Sequence, residues 1–194
     1  MFDTQFLKQQ QQLYQRYCQH DVAQDHRLAR YRNIEPDSAT FLAQQVLVQR
    51  SQNILEIGTS TGFSTLWLAK AAESTQGQIT TLEIDVERSQ MAAAQLDAFK
   101  IHTPVTFWVG DALEFLKQSQ QSFDFILLDA ERDAYVEYWT YLPHLLKSSG
   151  ICIVDNVLSH ADQVIDFKKL VESDPSFLTT TLAIGAGLMC IVKQ

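Results

Sequence analysis

The chain has 194 residues, 46% hydrophobic and 20% charged, which is the size of one domain and excludes a disordered protein. Fifteen basic against 23 acidic side chains leave a net charge of −8, which excludes the electrostatic footprint of a nucleic-acid binder and the polybasic patch of a membrane-surface protein. No apolar run approaches a bilayer span, the N-terminal residues lack a signal-peptide core, and Cys18, Cys152 and Cys190 fit neither a disulfide framework nor a zinc site, so reduced thiols and a cytoplasmic location are expected.

Residues 1–30 read as a helical extension, with Leu7, Leu13, Tyr14 and Tyr17 at roughly helical spacing among glutamines and charges. Pro36 interrupts the chain, and Asp37 or Ser38 is the expected N-cap of a helix carrying Phe41, Leu42, Val46 and Leu47. A β/α alternation follows. Strands are expected at 53–57, 79–84, 105–109, 123–128 and 151–154, and helices at 63–72, 87–99, 112–118, 134–146 and 164–172. Two closing strands, 179–184 and 188–192, flank Gly185-Ala186-Gly187 and suggest an antiparallel edge hairpin. Apolar strands alternating with helices predict a doubly wound α/β fold with a mostly parallel sheet covered on both faces. The chain thus reads as a single domain over 1–194, with residues 1–30 as extension and 31–194 as the α/β core.

In such a sheet ligands bind beyond the carboxyl ends of the strands. There the sequence places an acid after each of the first five strands: Glu56, Glu83 with Asp85, Asp111, Asp129, and Asp155 with Asn156. The first loop, Gly58-Thr59-Ser60-Thr61-Gly62, permits close backbone approach to a ligand. It is not the three-glycine dinucleotide fingerprint and it lacks a phosphate-cradling Lys, which argues against a nicotinamide oxidoreductase. A carboxylate at Glu56 suits a ligand bearing an ammonium or sulfonium, and one at Glu83 can accept both hydroxyls of a ribose. Asp129, Asp155 and Asn156 are hard oxygen donors suited to Mg²⁺, Ca²⁺ or Mn²⁺, although Asp155-Asn156 also reads as a plain turn and helix cap.

Several pieces occur together in order: Asn33-Ile34-Glu35-Pro36, Leu55 to Ser64, Leu82-Glu83-Ile84-Asp85, Gly110-Asp111-Ala112, Phe123 to Ala130, Asp155 to Leu158, and Ile184 to Leu188. With them the chain resembles the class I S-adenosylmethionine-dependent O-methyltransferases, within the cation-dependent group of catechol and caffeoyl-CoA O-methyltransferases and their bacterial relatives. The resemblance implies the seven-stranded Rossmann-like methyltransferase sheet. It implies a cofactor site of Ile34, Glu56, Gly58, Thr59, Ser64, Glu83, Ile84, Asp111, Ala112 and Asp129. It implies a divalent cation, Mg²⁺ before Ca²⁺ or Mn²⁺, on Asp129, Asp155 and Asn156. The expected reaction is methyl transfer to a hydroxyl of a small aromatic vicinal diol, and the expected assembly is a homodimer, to which the apolar face of the N-terminal helix could contribute. The expected partners are a small-molecule acceptor, with no nucleic acid and no membrane.

Two positions depart from the family pattern. Arg132 stands where the family usually has a Lys, three residues after Asp129, and Glu131 stands where Asp or Trp is common. Arg stays protonated near neutral pH, so with Asp129 it is the expected catalytic pair as a charge stabiliser and not as a base. A metal-independent methyltransferase and a non-catalytic cofactor or partner binder are the competing readings. His160, Tyr31 and Arg32 are further candidates for the rim of the site.

Overall fold

The computed structural model describes residues 2–194. The core is a seven-stranded sheet in the order β3-β2-β1-β4-β5-β7-β6. Its strands are β1 (Asn53–Ile57), β2 (Gln78–Glu83), β3 (Val105–Val109), β4 (Phe123–Leu128), β5 (Leu146–Val154), β6 (Phe177–Leu182) and β7 (Leu188–Lys193). The first five run parallel, while β7 is antiparallel to both β5 and β6. The closing hairpin is therefore present, with β7 inserted beside β5 and β6 at the edge. Strand order reverses between β1 and β4, so the two loops that follow these strands open the crevice of the sheet.

Helices cover both faces. α1 (Thr4–Val22), α2 (Pro36–Gln49) and α3 (Phe63–Thr75) bury Phe6, Leu13, Leu42, Phe63, Leu66 and Trp67 on one side. α4 (Val86–Ala98) flanks them through Ala92 and Leu96. α5 (Ala112–Gln118), the one-turn helices α6 (Tyr135–Tyr138) and α7 (Leu142–Leu145), and α8 (Ala161–Glu172) cover the other side around Tyr135, Trp139 and Phe167. Leu127 and Ile153 face the first cluster, and Ile126, Leu128 and Val154 the second, as the period of two in a doubly covered sheet requires.

Three local expectations are corrected. The extension is not helical to residue 30: α1 ends at Val22, and a single 3₁₀ turn, Arg27–Ala29, follows. Asp21 causes the stop, because its carboxylate accepts the backbone N–H groups of Tyr31 and Arg32 at 2.7 and 2.8 Å and turns the chain back. The N-cap of α2 is Glu35 with Pro36 at N1, where a missing N–H costs nothing, and not Asp37 or Ser38. The predicted helix over 134–146 breaks into a 3₁₀ turn (Arg132–Ala134), α6 and α7, with Pro143 confined to the first turn of α7.

The apolar face of α1 is spent within the chain. Phe6 meets Trp67 edge-on at 5.4 Å, and Tyr14 lies 5.2 Å from Phe63. That face is not free to build a dimer. Cys152 is buried in β5, and burial pushes its thiol well up, so it packs as a small core residue.

Candidate active site

The loops at the switch point fit only because of Gly58. Its φ is 104°, and a Cβ there would stand 1.9 Å from the Asp129 carbonyl oxygen. The β1 and β4 loops therefore touch through bare backbone. Gly62, with φ 84°, lets the same loop pass Ala92 of α4.

Glu56 lies beneath this loop, fully buried. Thr65 and Thr81 donate to its Oε2 at 2.5 and 2.6 Å. The single proton of Thr81 is thereby committed, so Thr59 is the donor in the short Thr59–Thr81 contact. Oε1 has no partner. Burial pushes the Glu56 carboxyl up to about 7, against the lowering effect of the Ser64, Thr65 and Thr81 hydroxyls. Ser64 is buried in the first turn of α3 beside it.

Glu83 ends β2. It accepts the backbone N–H of Ser60 at 2.7 Å and those of Ile84 and Asp85 at 3.0 Å, which leaves roughly one of a carboxylate's four acceptor positions for a ligand. Ile84 beside it is 74% exposed, an unusual state for a large apolar side chain at a strand end. Asp111 caps α5 through the Leu113 N–H at 2.9 Å, and Ala112 opens that helix. Ile34 is 2% exposed, so its side chain belongs to the core and offers a ligand no apolar surface.

Asp129 and Asp155 end the adjacent strands β4 and β5. Asn156 Nδ2 bridges them, donating to Asp129 Oδ1 and Asp155 Oδ2 at 3.0 Å each. Asp155 is buried, and its Oδ1 has no partner. Burial raises both carboxyls, and the charge of Asp129 raises Asp155 further. Arg132 pulls both the other way. Glu35 also acts on this pair with the sign of a carboxylate. It stands against the 184–187 loop, where a Cβ on Gly185 would lie 2.8 Å from Glu35 Oε2 and 2.2 Å from the buried Ser38 hydroxyl.

Among the described residues no cluster of three or more His, Cys, Asp or Glu is placed for a metal. The trio here is two carboxylates and an amide. The orphaned Asp155 oxygen and the shared amide donor show a site with negative charge to spare, which fits a cation. Such an ion would need Asn156 to present Oδ1 where it now presents Nδ2.

A strap from the N-terminal extension crosses these loops. Ser60 donates to the Tyr31 carbonyl at 2.7 Å, and Asn33 Nδ2 donates to the Thr61 hydroxyl at 2.8 Å. Arg88 Nη2 donates to the carbonyls of Leu28 and Arg30. Glu131 holds Arg27 and Arg32 at 2.7 and 2.9 Å. Partial burial works to raise the Glu131 carboxyl, but the hydrogen bonds from Arg27 and Arg32 prevail and hold it low. Tyr31, stacked on His20 at 3.8 Å, and Arg32 are thus parts of this strap. Glu131 and Glu35 were missed as partners in the sequence, since nothing local marks a contact about a hundred residues away.

A sequence model of the O-methyltransferase family matches residues 10–194. The chain belongs to this family. A catechol O-methyltransferase of Niastella koreensis is 30% identical over 130 residues, which cover 65% of this chain and 58% of that protein. Caffeoyl-CoA O-methyltransferase 1 of Eucalyptus globulus is 28% identical over 175 residues, covering 78% of this chain and 71% of the relative. Among solved structures, the O-methyltransferase from Bacillus cereus in complex with SAH superposes with a TM-score of 0.80 at 25% identity, over 95% of this chain and 90% of that one. The fold expected from the β/α alternation and the family expected from the resemblance are thereby established.

Proposed function

We propose that this protein transfers the methyl group of S-adenosylmethionine to one hydroxyl of a small aromatic vicinal diol, assisted by a divalent cation. One observation carries the reading. Two buried carboxylates of this crevice, Glu56 and Asp155, each keep an oxygen with no hydrogen-bond partner among the described residues. A buried charge without compensation is costly, and a cationic ligand offsets that cost. The family supplies such a ligand in S-adenosylmethionine, and the Asp129–Asp155–Asn156 trio has the hard oxygen donors for a metal ion.

In this reading Glu56 Oε1 accepts the cofactor's ammonium, and Ser64 donates to its carboxylate. Gly58 and Thr59 bring the loop backbone against its methionine part. Glu83 accepts a ribose hydroxyl, and Ile84 and Ala112 pack on the adenine beside Asp111. Asp129, Asp155 and Asn156 would hold the cation. When bound, the cofactor supplies an electrophilic methyl, and the cation lowers the hydroxyl's pKa. The chain itself supplies orientation and charge placement. A guanidinium is a donor and not a base, so Arg132 donates hydrogen bonds to the acceptor oxygen as negative charge develops there, and the hydroxyl's proton leaves to solvent water or hydroxide.

The test is methyl transfer onto a panel of catechol, caffeoyl and flavonoid acceptors with Mg²⁺ and with EDTA. The reading expects product in Mg²⁺, loss of about a hundredfold or more in EDTA, and the same loss in Asp155→Ala. Turnover that ignores EDTA would favour the metal-independent reaction, and cofactor binding without turnover on any acceptor would favour a non-catalytic binder. A cytoplasmic location and a homodimer remain part of the reading, with the dimer built on a surface other than the apolar face of α1.

A further inference from the structure

Arg132 is in an unusual position for a charged side chain. It is 7% exposed, in the 3₁₀ turn three residues beyond Asp129. Among the described residues it makes no ion pair. The neighbouring Glu131 carboxylate is already taken by Arg27 and Arg32. The hydrogen bond that Arg132 does make is from Nε to the Oε1 of Gln163, at 2.7 Å. Gln163 lies in the first turn of α8, and α8 packs on the 3₁₀ turn that carries Arg132. Among the described residues no side chain pairs with either terminal nitrogen.

A guanidinium is a rigid plane with five donors. Holding Nε while burying the stem fixes the direction of both terminal nitrogens. The turn itself is fixed from beneath, because the Tyr135 hydroxyl accepts the Ala130 N–H at 3.2 Å and donates to the Ala130 carbonyl at 3.1 Å. On the Asp129 side, Arg132 is the strongest influence lowering that carboxyl. A lysine in the same place would lack the Nε–H that Gln163 holds, so the pair belongs to the arginine and not to the position.

We infer that Gln163 is a positioning residue, which takes the Nε–H of Arg132 and so leaves its terminal nitrogens aimed as fixed donors at the anionic oxygen of the acceptor. The inference rests on the role given to Arg132 above. Gln163 touches neither acceptor nor cofactor. It acts by removing the rotational freedom that would let the guanidinium turn away toward solvent.

The experiment uses the full chain with S-adenosylmethionine and Mg²⁺, and 4-nitrocatechol as both acceptor and coloured probe of ionisation. Gln163→Met keeps size and loses the acceptor atom, while Gln163→Glu keeps an acceptor for Nε. Gln163→Met is expected to lower kcat about tenfold, the scale of one hydrogen bond to a charged group, with cofactor Kd and Tm unchanged. It also raises the apparent pKa of the bound probe, a readout that does not need turnover. Gln163→Glu restores most of both. In an Arg132→Ala background, Gln163→Met adds no further loss, because its effect passes through the arginine. Wild-type kcat and probe ionisation in Gln163→Met, or no rescue by Gln163→Glu, would overturn the inference while leaving Arg132 in place. Wild-type behaviour of Arg132→Ala would instead remove the role of Arg132 itself.

Discussion

Glu56 couples the charge of the site to the stability of the fold. Its carboxyl is raised from 4.5 to about 7, chiefly by burial. An acid whose folded pKa lies above its unfolded value binds more protons when folded, so stability falls as pH rises from about 4.5 through 7. The ligand-free protein should therefore melt at lower temperature at pH 8 than at pH 5.5, and Glu56→Gln should flatten that difference. Between pH 5.5 and pH 8 the wild-type protein should lose on the order of 2 kcal/mol through this group, a slope that Glu56→Gln lacks, read from thermal melts of the two proteins across this range. The cofactor's ammonium reverses the balance, so the same substitution should weaken S-adenosylmethionine binding about ten- to a hundredfold. Gly58 is the second decisive residue. Gly58→Ala puts a methyl into the Asp129 carbonyl and strains φ, and should cost about 3 kcal/mol or abolish folding, as denaturant titration would show.

Among the elements, the strands were the most legible in the sequence. Each of the first five carries an apolar run that closes on an acid, and β1, β3 and β4 begin and end where the pattern places them. The helix over 134–146 was not legible as it is. Tyr135, Tyr138 and Trp139 are buried at a spacing that suits a helix, but Pro143 lacks the N–H that a continuous helix needs. Of the strap, Tyr31 and Arg32 were legible as rim residues, but their anchor was not, since it depends on Glu131 meeting Arg27 and Arg32 across the fold. Gln163 was invisible for the same reason: a polar residue on the outer face of an amphipathic helix carries no signal until Arg132 is seen to need a partner. The strap supports a prediction at this scale. Glu131→Gln removes two half-exposed ion pairs, each worth roughly 0–1 kcal/mol, so S-adenosylmethionine Kd should rise a few-fold at low salt. The difference from wild type should shrink as ionic strength rises, which titrations at two salt concentrations would show.

At the scale of the molecule, the extension and the α/β core behave as one packed body. Phe6 is 5% exposed and packs on both Trp67 of α3 and Phe99 after α4. Phe6→Ala should cost about 3–5 kcal/mol and lower one common transition, followed by circular dichroism and tryptophan fluorescence together. A separate low-temperature transition for α1 would contradict that unity. The same packing delivers the Tyr31–Asn33 segment to the 58–62 loop, so the N-terminal helix reaches the candidate site through the strap. The central claim is that the buried acids of this crevice await cationic ligands, the first of which is S-adenosylmethionine. Calorimetric titration of S-adenosylmethionine into the intact chain, once with Mg²⁺ and once with EDTA, tests it most directly. The account predicts saturable one-to-one binding in both conditions, because in the proposed reading Glu56, Glu83 and the 58–62 loop would hold the cofactor without the Asp129–Asp155–Asn156 trio. No binding in either condition would contradict it.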